Sequence, residues 1–503
     1  MSAGFVSLVG AGPGHPGLLT VRGRHALQRA DVVLYDYLAS PALLESVPVP
    51  GQIRIHVGKS AGTTCATQED INRLLVERAL SGERVVRLKG GDPFIFGRGS
   101  EEARACVEAG LPFEIIPGVS SIHAVPAYAG IPLTDRDIAS GFTVLTGHER
   151  WSSEHSRIDW ARVAGTDGTI VVLMGVQQIG SWTQGLLDAD LDPQTPVALV
   201  RWGTTPRQDV LTATLATVAS RVAELGFGPP AVAVVGRTVE LRDQLAWLKH
   251  RPLARTVIGL TRSNPPVEKT FDRLEDLGAT LFHLPMTKQA SMPCAAIAIA
   301  LLDGKNTDLI FTSANGVLFF KKALASSELD SRDLAGKQVW AVGPATARAC
   351  YELLGVQAEH VPDSASADGL VAHAKKIGVE GRGFIFPAAK AARPTLERGL
   401  KSLGASIQRL NVYETLPMEN AALRLQDAME VGLNLVVVAS PSAVDALCAA
   451  MKIASVPMDA LSVAAIGPTT AGHAQKAGLH VVCVPAEHTM SGLVRELAHL
   501  YND

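Results

Sequence analysis

The run KGGDPFIFGRG at residues 89–99 limits the fold of this chain more than any other feature. It follows a strand-like segment at residues 84–88. Its glycines, proline and charged residues cannot form an apolar core, but they let the backbone approach a ligand closely and offer it both donors and acceptors. A tight turn between a strand and a helix is the alternative interpretation. The run therefore predicts either a ligand-binding loop or a structural turn at the end of a buried strand.

The length and composition of the chain favour more than one α/β domain. At 503 residues it is too long for a single core, and its 19% of charged residues and 46 glycines are typical of an α/β protein with many short turns. The net charge of -3 provides no basic field for nucleic acid or an acidic membrane, so we predict neither as a partner. A polyanionic substrate would have to be held by local arginines and lysines.

The six cysteines are scattered, and none belongs to a C-x-x-C pair. This spacing argues against a zinc ribbon or a redox motif, so we predict no metal site and inert thiols. The N-terminus lacks the basic and apolar segments of a signal peptide, and no apolar stretch reaches the roughly 18 residues of a membrane span. These features predict a cytoplasmic protein.

Strand-like and helical segments alternate in the first half, which predicts an α/β domain over residues 1–250. Thr67 is the candidate N-cap of a helix at residues 68–79, and a helical stretch from 240 to 250 ends the domain. We expect a linker at residues 251–255 and a second α/β domain at residues 256–503. The candidate strands of the first domain lie at residues 5–9, 31–35, 84–88, 143–146, 169–174, 197–200 and 231–235.

The second domain contains an internal repeat with an offset of about 123–127 residues. The segments 309–317, 341–347 and 369–371 correspond, in the same order, to 436–444, 465–471 and 492–494. Three ordered matches are hard to produce by chance. We therefore predict two similar α/β lobes facing each other across a cleft, which is a favoured place for a ligand.

A second glycine-rich loop, GAGPGH at residues 10–15, follows the first predicted strand. It fits a dinucleotide-binding loop poorly, because His15 stands where the third glycine of that fingerprint would be and Pro13 has no N–H to offer a phosphate. The loop is better suited to an uncharged or cationic ligand, so we do not expect NAD to bind.

Together with PGVSS at residues 117–121, these loops resemble the tetrapyrrole methylase family, and specifically its uroporphyrinogen-III C-methyltransferases. The resemblance covers residues 4–248. It implies two α/β lobes with S-adenosyl-methionine in the cleft between them, methyl transfer to a pyrrole carbon, and a homodimer formed through this domain. The cofactor-binding residues that it implies are Pro13, Gly90, Gly91, Asp92, Ile95, Ser120, Ser121, Met174 and Gly203.

The same resemblance implies Asp36 as the proton acceptor and Lys59 as the proton donor. A pyrrole carbon becomes a stronger nucleophile as its ring nitrogen loses a proton, so a carboxylate within reach would assist the reaction. On the residues alone, a helix N-cap for Asp36 and a solvated Lys59 are the alternatives. Asp135 departs from the family, which usually has a histidine there.

Residues 255–503 resemble uroporphyrinogen-III synthase through short motifs, among them TSAN at 312–315 and the related runs VGPATA at 342–347 and GPTTA at 467–471. The resemblance implies closure of linear hydroxymethylbilane with inversion of its fourth ring, and a role for Tyr413 in the departure of the hydroxyl group. Packing is the alternative for Tyr413, which we expect just after a strand. We expect Thr346 and Thr470 to cap helices. The implied substrate-binding residues are Arg262, Ser313, Asn315, Thr346, Lys390, Ser440, Ser442 and Thr470.

The product of the second activity is the substrate of the first. We therefore predict one bifunctional enzyme that makes uroporphyrinogen III and methylates it twice, at C2 and C7, to precorrin-2 for sirohaem or cobalamin synthesis, releasing S-adenosyl-homocysteine. Its partners would be small tetrapyrroles. The alternatives are a methylase acting on a later precorrin, and a second domain that binds tetrapyrrole without catalysis.

Overall fold

The computed structural model describes residues 4–39, 41–47, 49–58, 67–147, 158–262, 271–294, 296–303 and 307–501. The chain divides into two compact units, Met1–Leu284 together with Asn420–Asp503, and Pro285–Glu419. Within the described ranges there are three five-stranded sheets in the first unit and one in the second, and helices connect the strands, so both halves of the chain are α/β as predicted. None of the helices in these ranges is long and apolar enough to cross a membrane.

Lobe 1 is a parallel sheet in which the loops at the carboxyl ends of the strands carry the glycine-rich motifs. The strands are nearly continuous apolar runs because both faces of the sheet are buried: Leu8 packs on one face and Val9 on the other. The strand order is β3-β2-β4-β1-β5. The elements are β1 (Phe5–Gly10), α1 (Val21–Arg29), β2 (Val32–Tyr35), α2 (Pro41–Glu45), β3 (Ile53–His56), α3 (Gln68–Leu80), β4 (Arg84–Lys89), α4 (Gly99–Glu108), β5 (Phe113–Ile116) and α5 (Ser121–Tyr128).

The predicted start of α3 is confirmed. The Thr67 hydroxyl accepts a hydrogen bond from the Asp70 N–H at 3.1 Å, and the Asp70 carboxylate accepts one from the Thr67 N–H at 3.1 Å. This reciprocal capping box satisfies two N–H groups that a helix otherwise leaves unpaired.

Lobe 2 is a mixed sheet in the order β6-β7-β10-β8-β9, in which only β6 and β7 are parallel neighbours. Its edge strand β9 was not predicted, because its alternating threonines have no continuous apolar pattern. The predicted helix at 240–250 is broken into α9 and flanking 3₁₀ turns, where the Trp247 indole turns back to donate to the Ala127 carbonyl at 3.0 Å. The elements are β6 (Phe142–Thr146), α6 (Trp160–Ala164), β7 (Thr169–Leu173), α7 (Ile179–Asp188), β8 (Pro196–Arg201), β9 (Asp209–Thr214), α8 (Val218–Leu225), β10 (Ala231–Val235) and α9 (Arg242–Leu245).

Lobes 3 and 4 contain the repeat of the second half. Lobe 3 opens with β11 (Val257–Leu260), α10 (Asp272–Asp276) and β12 (Thr280–His283). Lobe 4 follows as β13 (Thr287–Ser291), α11 (Ala296–Leu302), β14 (Asp308–Phe311), α12 (Ala314–Ser326), β15 (Gln338–Ala341), α13 (Pro344–Ala349), α14 (Ala367–Ile377), β16 (Gly383–Ala389), α15 (Thr395–Ser402) and β17 (Ser406–Pro417). The chain then completes lobe 3 with α16 (Ala421–Glu430), β18 (Leu433–Val438), α17 (Pro441–Ile453), β19 (Ser462–Ala465), α18 (Pro468–Lys476), β20 (His480–Cys483) and α19 (Met490–Leu500).

The repeated segments form equivalent elements. In lobe 4, β14 pairs in parallel with β15 and leads into α12, and in lobe 3, β18 pairs in parallel with β19 and leads into α17. The third repeated segment begins α14 in one lobe and α19 in the other. The sheet orders are β12-β11-β18-β19-β20 in lobe 3 and β13-β17-β16-β14-β15 in lobe 4. The prediction of two similar α/β lobes is therefore confirmed.

The segment predicted as a linker, 251–255, is packed rather than free. Leu253 is fully buried, and its N–H donates to the Leu277 carbonyl at 2.9 Å. It belongs to the apolar core of lobe 3 together with Ile258 and Leu274. A cut before Arg251 would keep this segment with lobe 3, and the domain boundary itself stays a prediction.

We expect residues 1–250 and 251–503 to unfold as separate cooperative units, because each keeps its own buried sheets. A fragment 256–503 lacks Leu253 and should be less stable than 251–503 by about 2–5 kcal/mol, the usual cost of removing a large buried apolar side chain. Urea unfolding followed by circular dichroism measures both. Non-cooperative unfolding of either 1–250 or 251–503 would show that the boundary is wrong.

Candidate active site

The loops that follow β1, β4 and β5 meet backbone to backbone at the carboxyl edge of the lobe 1 sheet. A Cβ atom on Gly118 would lie 2.2 Å from the Gly91 carbonyl oxygen, and one on Gly10 would lie 2.5 Å from the Gly118 Cα. Only glycine permits this approach. Gly12 and Gly91 also exchange hydrogen bonds at 3.2 and 2.8 Å, so the two glycine-rich motifs form one platform.

Asp92 holds this platform together. Its Oδ1 accepts from the Phe94 N–H at 2.8 Å, and its Oδ2 accepts from the Gly118 N–H at 3.0 Å, which ties the loop after β4 to the loop after β5. Ser120, at the N-cap of α5, is buried and accepts from the Ile122 N–H at 3.3 Å. Both side chains thus support the loops, and their predicted contacts with a cofactor stay predictions.

The loop after β8 in lobe 2 closes onto the loop after β1. The Thr204 hydroxyl accepts from the His15 N–H at 3.3 Å, and the Thr204 N–H donates to Gln208 at 2.8 Å. Trp202 and Thr204 have φ angles of 50° and 68°, which are unusual for residues with a side chain. Such backbone strain is concentrated at ligand sites in proteins.

A cavity of about 480 Å³ lies between these loops of lobes 1 and 2, a volume within the range of small-molecule sites. Seven predicted cofactor-binding residues line it: Pro13, Gly90, Gly91, Ile95, Ser121, Met174 and Gly203. The sequence analysis did not single out several other residues that line the cavity. They are Tyr37, Leu38, Phe96, Val125, Trp202, Thr204 and Arg207. Their common signal is position, since most come directly after a strand or belong to a glycine motif.

A buried charge network lies next to the cavity. The Arg87 side chain is 2% exposed, and its guanidinium donates to Asp36 Oδ1 at 2.5 Å and to Glu102 Oε1 at 2.9 Å. Lys89 also donates to Glu102 Oε1, at 2.9 Å. Burial, together with the neighbouring Arg87 charge, lowers the pKa of Lys89.

Asp36 is thus fixed by an ion pair at the carboxyl end of β2, one residue before the cavity-lining Tyr37. Within the described part of the chain, Asp36 Oδ2 has no hydrogen-bond partner, which leaves it available to a ligand. Lys59, the predicted proton donor, lies outside the described residues. Asp135 is half-buried and accepts from the Asp137 N–H at 3.0 Å, so this carboxylate stabilises its own turn.

The predicted synthase residues of lobe 3 lie at the carboxyl edge of its sheet. Arg262 comes shortly after β11, and its carbonyl contacts the His283 ring nitrogen at 3.0 Å. Ser440 caps α17 by accepting from the Ala443 N–H at 3.2 Å, and its hydroxyl lies 3.0 Å from that of Ser442. Thr470 is buried in the first turn of α18.

The predicted synthase residues of lobe 4 also follow its strands. Ser313 caps α12 by accepting from the Gly316 N–H at 3.0 Å, and the half-buried Asn315 lies in the first turn of that helix. The Lys390 ammonium donates to Glu414 at 3.0 Å. Thr346 is buried in the first turn of α13.

The expected capping role of Thr346 and Thr470 is wrong. Each follows a Gly-Pro pair, and proline occupies the first helical position while the glycine is the N-cap residue. This arrangement places each threonine inside the helix, where proline's fixed φ has already started the first turn.

Tyr413 lies within β17 rather than just after a strand. The strand continues because its pairing passes from β16, where Tyr413 is opposite Ala389, to the antiparallel β13, where it is opposite Ser291. The Tyr413 ring is 8% exposed and stacks on Phe319 at 4.9 Å. Its ring therefore packs in the core of lobe 4, and the role of its hydroxyl stays a prediction.

Comparison with known proteins agrees with this organisation. The family of tetrapyrrole (corrin/porphyrin) methylases matches residues 6–219, and the family of uroporphyrinogen-III synthase HemD matches residues 268–495. The porphyrin biosynthesis protein HemD of Ruminiclostridium josui is 34% identical over 504 residues, which is 99% of each chain. An S-adenosyl-L-methionine-dependent uroporphyrinogen III methyltransferase of Methanosarcina barkeri is 47% identical over 48% of this chain and 94% of its own.

A crystal structure of uroporphyrin-III C-methyltransferase from Thermus thermophilus, complexed with S-adenosyl homocysteine, is 39% identical over 47% of this chain and 100% of its own, with a TM-score of 0.41. The first half of the present chain is a tetrapyrrole methylase and the second half is a uroporphyrinogen-III synthase. The chain thus belongs to the family of the porphyrin biosynthesis protein HemD, which it matches over its whole length. It is a methyltransferase and synthase of tetrapyrrole biosynthesis, with S-adenosyl-methionine as methyl donor.

The cavity fits this donor. A Cβ atom on Gly91 would meet only the Ser121 nitrogen, at 3.9 Å, so the backbone there borders open space. Arg207 is the only lysine or arginine among the described lining residues, and Pro13 has no N–H, so the site is not built for a phosphate. Backbone carbonyls and apolar side chains suit a sulfonium cation and a purine ring.

Glu102→Gln should destabilise lobe 1 by about 3–5 kcal/mol, because it leaves the buried Arg87 and Lys89 without a full counter-charge. The neighbouring Glu101→Gln is the matched control. Glu101 pairs with Arg98 at the surface, so its loss should cost no more than about 1 kcal/mol. Urea unfolding compares the two, and equal effects would show that the network does not stabilise the fold.

Proposed function

We propose that this chain cyclises hydroxymethylbilane to uroporphyrinogen III with inversion of ring D, and then methylates that product at C2 and C7 to precorrin-2. The product would supply sirohaem or cobalamin synthesis. One observation carries the proposal: a glycine-built cavity suited to S-adenosyl-methionine lies beside a carboxylate that a buried arginine holds in place. The synthase half supports it by making the substrate that the cavity would receive.

In the methyltransferase half, bound S-adenosyl-methionine supplies an electrophilic methyl group. Asp36 would accept the pyrrole N–H proton on Oδ2, which raises the nucleophilicity of the ring carbon; as that carbon bonds to the methyl group, the methyl–sulfur bond would break and leave S-adenosyl-homocysteine. Arg87 keeps Oδ1 occupied and so fixes the orientation of the carboxylate. Tyr37, Leu38 and Phe96 are half-exposed at the cavity and offer apolar surface to a planar macrocycle while excluding water.

In the synthase half, the terminal C–O bond of hydroxymethylbilane breaks and the hydroxyl leaves as water after it gains a proton. The resulting azafulvene cation first bonds to the substituted α-carbon of ring D. The bond from that carbon to its methylene bridge then breaks, the bridge bonds to the other α-carbon of ring D, and a ring proton is lost, which leaves ring D inverted. Tyr413 donates a hydrogen bond or proton to the leaving hydroxyl. Hydroxyl and amide side chains at the carboxyl edges of the two sheets, such as Ser313, Asn315 and Ser440, bind the substrate carboxylates.

The decisive experiment gives the whole protein hydroxymethylbilane and S-adenosyl-methionine and identifies the product by mass and isomer analysis. We expect precorrin-2. Methylated type I products alone would mean that the second half binds tetrapyrrole without catalysis. Unmethylated uroporphyrinogen III would favour a methylase acting on a later precorrin.

We also propose that the protein is a cytoplasmic homodimer formed through its methyltransferase half. Sedimentation equilibrium of the full chain and of residues 1–250 tests the dimer. Both should have twice the monomer mass. If the full chain were a dimer and residues 1–250 a monomer, the interface would lie in the synthase half.

Asp36→Asn should slow methylation of supplied uroporphyrinogen III by roughly 10²–10⁴-fold, because the amide cannot accept the pyrrole proton. Affinity for S-adenosyl-homocysteine, measured by calorimetry, should change little, since the platform of Gly91 and Gly118 is untouched. An unchanged rate would show that Asp36 has only a structural role, as the ion-pair partner of Arg87.

Tyr413→Phe keeps the ring and its stacking on Phe319, so the fold should be retained. If the phenol assists departure of the hydroxyl, the variant should release more uroporphyrinogen I, which forms spontaneously without ring inversion. Methylation of supplied uroporphyrinogen III should be unaffected. Isomer analysis of the cyclised product checks this, and a normal rate of pure type III isomer would assign Tyr413 to packing.

A further inference from the structure

Lobe 3 of the synthase half forms part of the wall of the methyltransferase cavity. The turn between α16 and β18 contributes Glu430 and Val431 to the lining, and β12 contributes Thr280. The remaining lining residues come from lobes 1 and 2. A part of the chain that the methylase chemistry does not use therefore borders the site of that chemistry.

Arg207 fixes this turn to lobe 2. Its guanidinium donates to the Glu430 carbonyl at 3.0 Å and lies over the Trp202 ring, 4.4 Å from the ring centre. A Cβ atom on Gly432 would lie 3.6 Å from the Arg207 Cγ, so the side chain runs along the turn. Trp202 itself lines the cavity and makes an edge contact with Tyr37.

A second attachment joins lobe 3 to lobe 1. Arg424 of α16 pairs with Glu45 at the end of α2, and both side chains are nearly buried, at 13% and 12% exposed. Arg424 also donates to the His283 carbonyl at 3.2 Å, and Glu45 is held by Arg54 at 3.1 Å. Helix α2 follows the cavity-lining Tyr37 and Leu38, so the ion pair bears on that wall of the cavity.

The charge balance at this attachment is not optimal. Asp427 on α16 is near Glu45, Glu430, Arg424 and Arg54, and near Tyr35 on β2. Burial, together with Glu45 and Glu430, raises the pKa of Asp427 to about 6. The pKa of Asp427 in the folded protein is thus above its usual value of 3.8. Protonated Asp427 contributes fully to stability below pH 3.8, and this contribution is lost as the pH rises through about 6. At pH 8 the charged Asp427 therefore opposes docking.

We propose that Arg207 and Arg424 are positioning residues for methyl transfer: they dock lobe 3 of the synthase half onto the cavity, so that occupancy of the cavity and docking of lobe 3 are thermodynamically coupled. The inference rests on the assignment of the cavity as the methyl-donor site. Neither arginine carries a proton in the reaction. Loss of docking should therefore weaken ligand binding and leave the turnover of bound substrate nearly unchanged.

The test uses the full chain with Arg207→Ala and Arg424→Met, and with Arg221→Ala as the matched control. Arg221 is an exposed arginine of lobe 2 that pairs with Glu224 at the surface. Calorimetry with S-adenosyl-homocysteine should show a Kd raised about 5-fold or more in both docking variants, the lower end of typical coupling between sites. KM for uroporphyrinogen III should rise in parallel while kcat changes little, and Arg221→Ala should match the wild type in all three quantities.

Arg424 does not line the cavity, so an effect of its substitution on the Kd has to pass through lobe 3. Arg424→Lys keeps the charge and should restore most of the affinity. Asp427→Asn should have the opposite effect, a lower Kd at pH 8 than the wild type with little difference at pH 5. This variant removes a charge rather than a contact, and it keeps the proposal testable if Arg424→Met fails to fold.

Coupling is reciprocal, so the ligand should also stabilise the docked lobe. Hydrogen exchange of residues 421–438 should slow on addition of S-adenosyl-homocysteine in the wild type and respond much less in Arg207→Ala. The proposal would be overturned if the docking variants had the same Kd as the control. It would also be overturned if the ligand did not change the hydrogen-exchange rate of residues 421–438 in the wild type. If the ligand and exchange results hold but uroporphyrinogen III is not methylated, the substrate assignment fails and the coupling stands.

Discussion

Lobe 1 depends on the buried carboxylate of Glu102, because this group is the counter-charge for two buried cations of β4. Arg87 and Lys89 are two residues apart on a strand, so they face the same side of the sheet. One completely buried oxygen of Glu102 accepts from both. Arg87 then extends the network to Asp36, so the orientation of the proposed base depends on a helix that contributes no residue to the cavity.

The glycine platform was predictable from sequence, whereas this network was not. Glycine and proline constrain the backbone locally, so the motifs around Gly12 and Gly91 indicate close approach wherever they occur. Arg87 appears in the sequence only as a charged residue in a strand pattern. Its partner lies 15 residues away on α4, in a helix whose acidic residues look like a solvated face. The pairing depends on how α4 packs on the sheet, and no local pattern records that.

The position of Tyr413 is a second case in which a distant element decides. The local pattern ends a strand at Val412, but β17 runs from Ser406 to Pro417. Its second part exists because β13, more than a hundred residues earlier in the chain, supplies an antiparallel partner. The repeat was predictable because similar sequence segments occur in both lobes. The extension of β17 and the edge strand β9 were not, because each depends on pairing with another strand.

The chain order explains why lobe 3 is a suitable wall for the cavity. Lobe 4 is inserted between β12 and α16, so lobe 3 is assembled from two segments that meet where β11 pairs with β18. The turn that Arg207 holds comes directly before β18, the central strand of that sheet, which is flanked by β11 and β19. Arg207 is therefore bonded to the last residue of α16, beside the central strand of the sheet, and a site supported by helices and strands keeps its geometry more accurately than one supported by loops. Because Thr280 lies in β12 and Glu430 and Val431 directly precede β18, the cavity acquires its last wall only when lobe 3 has formed.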